Sequence, residues 1–188
     1  MDSWPQFRKS ALAGLEDAKK EGKADERAFL LMDAINSIPE FATTSSCSGR
    51  VMLLSLKKHK KDAKMEGRWH DEVKPNDIRK AVEGYRGRNR LWLKAEPFIL
   101  HVACRDVESG MKLLRACKDA GVKRFGLQAM KGGKRCLVEI IGTGRIDMPL
   151  EACSVDYGKF AKLANSIMEQ NWQRMETLRQ MIIQELDE

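Results

Sequence analysis

The last part of this chain carries the longest helical pattern in the sequence. Over residues 156–186, apolar side chains recur three and four positions apart, as they do on one face of an α-helix. The positions are Phe160, Leu163, Ile167, Met168, Met175, Leu178, Ile182 and Leu186. Residues 156–186 are therefore predicted to form one long C-terminal helix of about eight turns.

The rest of the chain alternates helices with short strands. Helices are predicted over residues 3–21, 24–37, 74–85 and 107–120, with Met111, Leu114 and Cys117 on one face of the last. Strands are predicted over residues 41–46, 51–56, 68–73, 91–104, 122–130, 135–141 and 146–150, with a kink at Glu96 and Pro97. This order favours an α+β fold over residues 1–188, a single domain with a mostly antiparallel sheet packed against helices. No G-x-G-x-x-G segment follows an early strand, so the fold is predicted to be non-Rossmann.

Positive charge is concentrated in one central segment. The formal net charge is +7, and residues 57–90 contain 12 basic and 6 acidic side chains. A localised basic stretch is typical of a surface that binds a polyanion, although a solvated loop and helix would have the same composition. Residues 68–70 and 85–92 also mix arginines with aromatic rings, which can stack on unpaired bases. Trp69 and Trp92 fit a core equally well, and Trp92 is expected to be half-exposed.

Cysteine usage and hydropathy indicate the compartment. The chain has five cysteines, an odd number, and no two of them form a Cys-x-x-Cys pair. This favours reduced and mostly buried thiols. No histidine is spaced from a cysteine in the way that the ligands of a metal site are, and this holds for His59, His70 and His101. No metal site is therefore predicted. No apolar run approaches the ~20 residues of a membrane span, and no signal-peptide pattern opens the chain. These patterns predict a soluble, cytoplasmic protein without a membrane segment.

Residues 44–50, Thr-Ser-Ser-Cys-Ser-Gly-Arg, form the densest group of reactive side chains. Small residues leave several backbone N–H groups open to an anion, and Gly49 lets the backbone approach a ligand closely. Arg50 can bind a phosphate or carboxylate in bidentate fashion. A serine-rich turn between two strands is the alternative. Cys47 is interpreted as a small pocket thiol rather than a nucleophile, because the sequence shows no neighbouring base.

Residues 96–104, Glu-Pro-Phe-Ile-Leu-His-Val-Ala-Cys, supply a second candidate group. Alternation along the strand places Phe98, Leu100 and Val102 on one face and His101 on the other. His101 can therefore face a cleft as a general acid or base, or stack on a nucleobase, and a structural histidine is the equal alternative. Residues 142–145, Gly-Thr-Gly-Arg, lack the spacing of a phosphate loop and favour a simple hairpin turn.

Together these segments resemble one enzyme family. Residues 44–50 and 96–104 and the Lys131-Gly132 turn, in this order, are similar to the archaeal form of the third wybutosine-synthesising enzyme of tRNA. The resemblance extends from about Phe7 to the C-terminal helix. It implies an S-adenosylmethionine-dependent tRNA methyltransferase whose fold is unlike that of the Rossmann methyltransferases. The implied acceptor is the N4 nitrogen of a wyosine-type guanosine derivative beside the anticodon of phenylalanine tRNA.

The resemblance also implies roles for individual residues. The cofactor S-adenosylmethionine would be bound by Ser45, Ser46, Cys47, Gly49 and Arg50, and the catalytic residues would be Glu96 and His101. The tRNA would be held by Lys57, Lys58, Lys60, Lys61, Arg68, Trp69, Arg86 and Arg88. The protein is expected to be a monomer without metal. Two other hypotheses remain open here: a non-catalytic RNA-binding protein, and a structural subunit that docks a partner through the long C-terminal helix.

Overall fold

The chain forms two compact units. The computed structural model describes residues 3–56, 63–131, 135–152 and 154–186. One unit comprises Met1–Ser48, Phe98–Thr143 and Trp172–Glu188, and the other comprises Gly49–Pro97 and Gly144–Asn171. The prediction of a single domain over residues 1–188 stays a prediction.

The described residues contain five α-helices and eight β-strands, numbered here in chain order. The helices are α1 (Trp4–Lys20), α2 (Phe29–Ser37), α3 (Pro75–Gly84), α4 (Val107–Asp119) and α5 (Tyr157–Leu186). The strands are β1 (Phe41–Cys47), β2 (Arg50–Leu56), β3 (Lys64–Trp69), β4 (Arg90–Glu96), β5 (Ile99–Cys104), β6 (Arg124–Lys131), β7 (Arg135–Ile141) and β8 (Ile146–Pro149). A short 3-10 helix, Glu26–Ala28, precedes α2.

The first unit is built on a sheet of four antiparallel strands in the order β1-β5-β7-β6. Alternate residues of its central strands, Leu100 and Val102 of β5 and Val138 and Ile140 of β7, are buried on one face. They form a single apolar core with side chains of α2, of α4 and of the last turns of α5. Three helices therefore cover this face of the sheet.

The first helix packs against the opposite face of the same sheet. Because neighbouring residues of a strand point to opposite faces, Ala103 lies on the side away from that core. It is opposite Ala42 in register, and both pack with the buried Trp4 of α1. The same face continues two residues along β5 to His101. The face that carries His101 is thus covered by α1 around Ala103.

The second unit has its own four-stranded antiparallel sheet, in the order β3-β2-β4-β8. Its buried apolar side chains are Val51, Met52, Leu53, Val73, Ile78, Leu93, Ala95, Phe160, Ala161, Ala164 and Met168. The Asn165 amide of α5 bonds both backbone groups of Val73, accepting from its N–H at 3.0 Å and donating to its carbonyl at 3.1 Å. These two bonds fix the segment that leads into α3.

The structure confirms the predicted fold class. It combines helices with antiparallel strands, and the C-terminal helix begins at Tyr157 and ends at Leu186, within one residue of the predicted start. Among the residues described, no helix is both long and apolar enough to cross a membrane. Trp92 is partly buried, as predicted.

Two predicted connections are wrong because they join different sheets. Residues 91–104 do not form one kinked strand, since β4 pairs with β2 and β8 while β5 pairs with β1 and β7. Pro97 has no N–H to donate to a ladder, so the first strand ends before it. Residues 142–145 connect β7 to β8 of the other sheet, so the predicted hairpin turn there is also wrong.

The predicted strand over residues 68–73 is also wrong, since the strand is Lys64–Trp69. It is an edge strand whose side chains are mostly exposed, and edge strands are commonly polar. The alternation that marks a half-buried strand is therefore missing from its sequence. The carboxylate of Glu66 accepts a hydrogen bond of 2.7 Å from the Ser55 hydroxyl of β2, which ties the edge strand to its neighbour.

Two apolar positions assigned to helix faces are wrong. Met111 of α4 is exposed, and the helix buries Ser109, Gly110, Leu113, Ala116 and Cys117 instead. A Cβ on Gly110 would lie 2.7 Å from Cys136 Sγ, so only glycine permits this close approach. Leu163 of α5 is also exposed, while its neighbour Ala164 is buried.

Candidate functional site

A β-bulge in β1 decides which side chain faces His101. Thr43 is opposite Val102 and Ser45 is opposite His101, so Thr44 is an extra residue in its strand. The Thr44 hydroxyl donates a hydrogen bond of 3.2 Å to the carbonyl oxygen of His101. The bulge thereby turns Ser45 rather than Thr44 toward the imidazole ring.

Side chains of four adjacent strands meet beside this bulge. Ser45 is opposite His101, and His101 is opposite Glu139. Ser45 Oγ is 2.7 Å from His101 Nδ1, and His101 Nε2 is 3.0 Å from Glu139 Oε2. Gln128 of β6 donates from Nε2 to Glu139 Oε1 at 2.5 Å. We call Ser45, His101, Glu139 and Gln128 the histidine array.

The Ser45 end of the histidine array is open. Ser45 is exposed, whereas the side chains of His101 and Glu139 are 26% and 22% exposed. Both ring nitrogens of His101 already contact side chains of the protein. Of the two groups that contact the His101 ring, the Ser45 hydroxyl is therefore the one that a ligand can reach most directly.

A cleft of about 470 Å³ lies beside Ser45, between α1 and β1. Its β1 wall is formed by Thr43, Thr44, Ser45 and Ser46, and its α1 wall is mainly apolar. Small-molecule sites occupy roughly 300–1,000 Å³. The cleft therefore suits a small ligand with one apolar and one polar face.

The turn that follows β1 is held by an acidic side chain. The backbone N–H and the hydroxyl of Ser48 both donate to Asp25 Oδ2, at 2.8 and 2.5 Å. Gly49 then adopts a φ of 101°, which disfavours a residue with a Cβ. Cys47 is partly buried at the end of β1, opposite Ile99. The turn is a fixed structure, and the proposed role of Cys47 in cofactor binding stays a prediction.

In the second unit, Arg50 and Glu96 lie opposite each other on β2 and β4. Arg50 Nη2 is 3.2 Å from Glu96 Oε2, and Lys94 Nζ is 3.0 Å from Glu96 Oε1. The same Nζ is 2.8 Å from Asp147 Oδ1, and the other oxygen of Asp147 pairs with Arg145. We call these five side chains of alternating charge the charge array.

The ion pairs of the charge array shift two pKa values. Burial lowers the pKa of Lys94, but hydrogen bonds to Asp147 and Glu96 outweigh burial and raise that pKa above its usual value. Burial raises the pKa of Asp147, but the hydrogen bond and charge of Lys94, with those of Arg145, outweigh burial and lower it. Lys94 and Asp147 are thereby held in their charged forms.

Each carboxylate oxygen of Glu96 pairs with a cation of the charge array, Oε2 with Arg50 and Oε1 with Lys94. This geometry suits the positioning of Arg50 better than the uptake of a proton, and the catalytic role of Glu96 stays a prediction. Arg50 Nε is buried without a hydrogen-bond partner among the residues described. Arg50 thus keeps a donor beyond its contact with Glu96.

The basic side chains of the central segment are exposed wherever the structure describes them. Its described basic residues are all exposed: Lys64, Arg68, Lys74, Arg79, Lys80, Arg86, Arg88 and Arg90. Lys57, Lys58, Lys60 and Lys61 lie outside the described residues. Trp69 is partly buried, and a Cβ on Gly67 would lie 2.5 Å from its ring, so the ring lies against the Gly67 backbone. The tRNA-binding role of this segment stays a prediction.

The predicted site residues are brought together in two groups, one in each unit. Ser45, Ser46 and His101 lie in the first unit, where Ser45 contacts His101. Arg50 and Glu96 lie in the second and contact each other. Sequence reasoning did not predict five members of the arrays as site residues: Glu139, Gln128, Lys94, Asp147 and Arg145. Alternation alone could have placed Lys94 on the face of Glu96, but Glu139 and Asp147 depend on strand register.

Comparison with known proteins shows extensive similarity to one family. A family model described as methyltransferase TYW3 matches residues 6–184. A relative from Archaeoglobus fulgidus is 36% identical over 149 residues, which are 78% of this chain and 74% of the relative. A relative from Pyrococcus horikoshii is 31% identical over 189 residues, which are 96% of this chain and 95% of the relative. Both are named tRNA(Phe) 7-((3-amino-3-carboxypropyl)-4-demethylwyosine(37)-N(4))-methyltransferase, with the number 1 added for the second.

The fold is similar to a solved structure as well. The PH1069 protein from Pyrococcus horikoshii superimposes with a TM-score of 0.87 and 31% identity, over 96% of each chain. The family match and the structural match both extend over nearly the whole chain, including both arrays. This chain therefore belongs to the methyltransferase TYW3 family.

Proposed function

We propose that this chain transfers a methyl group from S-adenosylmethionine to the N4 nitrogen of 7-(3-amino-3-carboxypropyl)-4-demethylwyosine at position 37 of tRNA(Phe). Relatives named for transfer to this nucleoside match most of the chain. The observation that carries the proposal is the exposed Ser45 hydroxyl, 2.7 Å from His101 Nδ1. An acceptor nitrogen that carries a proton loses it on methylation, and a hydroxyl bonded to an imidazole can take that proton.

The cleft between α1 and β1 fits the nucleoside part of S-adenosylmethionine. Ser45 and Ser46 would bond its polar groups, and the apolar α1 wall would contact its ring. When bound, the cofactor supplies a methyl group whose bond to sulfur breaks as the bond to the acceptor nitrogen forms. The protein needs no nucleophile for such a transfer, and its residues contribute mainly by orientation.

Arg50 is the proposed ligand of a carboxylate. The methionine part of the cofactor and the aminocarboxypropyl group of the substrate each carry one, and guanidinium binds carboxylates well. Glu96 holds Nη2 of Arg50, and the Arg50 side chain is 31% exposed, so a ligand can reach it. Comparing precursor tRNA with and without the aminocarboxypropyl group separates the two ligands. If Arg50 binds the substrate group, Arg50→Lys lowers methylation only of tRNA that carries it.

A direct assay tests the proposed function. The purified chain is incubated with S-adenosylmethionine and tRNA(Phe) carrying the precursor base, and the nucleosides are analysed by mass spectrometry. We expect one added methyl group at position 37, and none on the matched tRNA(Phe) that carries guanosine there. No methylation of the precursor tRNA, with tRNA binding intact, would overturn the proposal in favour of a non-catalytic RNA-binding protein.

Gly14 offers a matched pair of variants for the proposed cofactor cleft. It lines the cleft from α1, and a Cβ at this position would meet no atom within 4 Å. Gly14→Ala therefore leaves most of the cleft open, whereas Gly14→Leu places a large side chain in it. We expect calorimetry to show S-adenosylmethionine binding at least about tenfold weaker in Gly14→Leu and near wild type in Gly14→Ala. Equal binding by both would place the cofactor elsewhere.

The exposed basic residues support tRNA binding, whether the protein is a methyltransferase or a non-catalytic RNA-binding protein. Arg88 is exposed and belongs to the predicted tRNA-binding set. If it contacts one phosphate, Arg88→Ala reduces the slope of log affinity against log salt by about 1. Glu83→Gln, a change at an exposed acidic residue of the same segment, serves as a control that should not lower the slope. An unchanged slope in Arg88→Ala would remove this residue from the interface.

A further inference from the structure

The contacts of the histidine array determine where its protons lie. A neutral histidine carries one N–H, and a carboxylate such as that of Glu139 only accepts hydrogen bonds. The contact of 3.0 Å between His101 Nε2 and Glu139 Oε2 therefore places the proton on Nε2. This leaves a lone pair on Nδ1, so the Ser45 hydroxyl, 2.7 Å away, donates to the ring. Glu139 thus sets the direction of the Ser45–His101 hydrogen bond.

Glu139 is itself held in place from the other side. Its Oε1 atom accepts from Gln128 Nε2 of the neighbouring strand at 2.5 Å, while Oε2 contacts His101. The carboxylate cannot rotate without losing one of these bonds. Its backbone is in register with His101 in the middle of a four-stranded sheet. A partner bonded to the second nitrogen of a histidine orients the ring and fixes its tautomer, as in catalytic triads and metal sites.

We propose that Glu139 is a positioning residue for methyl transfer, an inference that rests on the proposed function. By keeping the His101 proton on Nε2, it keeps Nδ1 free to take the Ser45 hydroxyl proton. Ser45 Oγ can then accept the proton that the acceptor nitrogen loses. Glu139 touches neither cofactor nor substrate in this scheme and acts only through His101.

The proton transfers balance. The proton of the acceptor nitrogen moves to Ser45 Oγ as the Ser45 proton moves to His101 Nδ1. Ser45 ends neutral, and His101 ends as an imidazolium with a proton on each nitrogen, beside the carboxylate of Glu139. The Ser45 hydroxyl bonded to Nδ1 is exposed, which gives the new proton a route to solvent before the next turnover.

A spectroscopic experiment tests the array without tRNA or cofactor. The chain has three histidines, so the nitrogen resonances of His101 in histidine-labelled protein can be assigned from their loss in His101→Gln. We expect the Nε2–H form in the wild type, with a low-field Nε2 proton bonded to the carboxylate. In Glu139→Gln, this low-field proton signal should move upfield or broaden. A wild-type ring protonated on Nδ1 would overturn the inference and leave the proposed function intact.

A kinetic experiment tests the role in the reaction. With enzyme in excess over precursor tRNA and saturating S-adenosylmethionine, we expect Glu139→Gln to lower the single-turnover rate roughly tenfold or more. Binding of tRNA and of S-adenosylmethionine should change little, and Glu139→Asp should restore part of the rate. Glu108→Gln is a matched control, because this glutamate of α4 is 80% exposed and outside the array.

The outcomes separate the inference from the proposed function. A wild-type rate in Glu139→Gln overturns the inference while the proposed function stands. A wild-type protein that methylates no precursor tRNA overturns the proposed function, and the inference with it. Equal rate losses in Glu139→Gln and Glu108→Gln would show a general effect of charge and would also overturn the inference.

Discussion

The histidine array and the charge array are built in the same way and suit different tasks. Each joins side chains that face one another across neighbouring antiparallel strands. In the charge array each carboxylate lies between two cations, so a change of protonation would break ion pairs. In the histidine array an imidazole lies between a carboxylate and an exposed hydroxyl. Imidazole exchanges protons near neutral pH, so this array suits proton transfer, whereas the charge array suits the positioning of Arg50.

The largest expected effect separates the two arrays by activity. His101→Ala should lower the single-turnover rate of methyl transfer by about 100-fold, because it removes the group that draws the proton from Ser45. Glu96→Gln should lower this rate less than tenfold, because it weakens the hold on Arg50 and removes no proton acceptor. The rates are measured with excess enzyme on precursor tRNA.

Equal losses of activity would break the comparison. If Glu96→Gln loses as much activity as His101→Ala, Glu96 has a direct role in the reaction despite its two cation partners. The two single variants Arg50→Ala and His101→Ala provide a stricter check on whether the arrays contribute to catalysis. If both methylate precursor tRNA at the wild-type rate, neither array contributes to catalysis.

Local patterns predicted the direction of His101 but not its neighbours. The alternation of Leu100, His101 and Val102 is visible within one strand, and it correctly turned the imidazole away from the core. Glu139 lies 38 positions along the chain, and it meets His101 only through the register of β5 and β7. That register depends on the packing of residues far apart in sequence. Glu139 therefore required the structure.

Two other differences between the predicted and the observed strands have opposite causes. The bulge at Thr44 has no mark in the sequence, because each residue from Thr43 to Ser46 is small and polar and would fit a regular strand. The break between β4 and β5, in contrast, is marked by Pro97, although the alternation on both sides of Pro97 predicts one kinked strand. The first needed non-local information, and the second needed more weight on the missing N–H of proline.

The next largest effect concerns the centre of the charge array. The Lys94 side chain is 15% exposed and bonds both Glu96 and Asp147. Lys94→Met should lower the free energy of unfolding by about 1–3 kcal/mol, because it leaves two partly buried carboxylates without this cation. Ser45→Ala in the histidine array should change it by less than about 0.5 kcal/mol, since this hydroxyl is exposed. Urea unfolding of both variants measures the difference, and an equal cost would contradict the contrast.

A smaller effect depends on pH. The pKa of Asp147 is lowered in the folded state, so its ionised form stabilises the fold above the unfolded value of about 4. Asp147→Asn should therefore be less stable than the wild type at pH 7, by at most about 1 kcal/mol. The difference should shrink as the pH falls through the lowered pKa, because the wild-type carboxyl is then protonated too. Urea unfolding at several pH values checks this, and a difference that persists at low pH would exclude the ion pairs as its source.

The smallest effects are expected at the ends of both arrays. Arg145 is 45% exposed and Gln128 is exposed, so Arg145→Ala and Gln128→Ala should each change the free energy of unfolding by less than about 0.5 kcal/mol. Gln128→Ala should also lower the single-turnover rate less than Glu139→Gln does, because the bond between Glu139 and His101 remains. Urea unfolding and single-turnover assays test both expectations. If Arg145→Ala costs as much stability as Lys94→Met, the charge array acts as one coupled network rather than as separate pairs whose strength follows burial. A variant with both changes would then decide between a coupled network and separate pairs. Coupled pairs give a combined loss of stability that differs from the sum of the single losses.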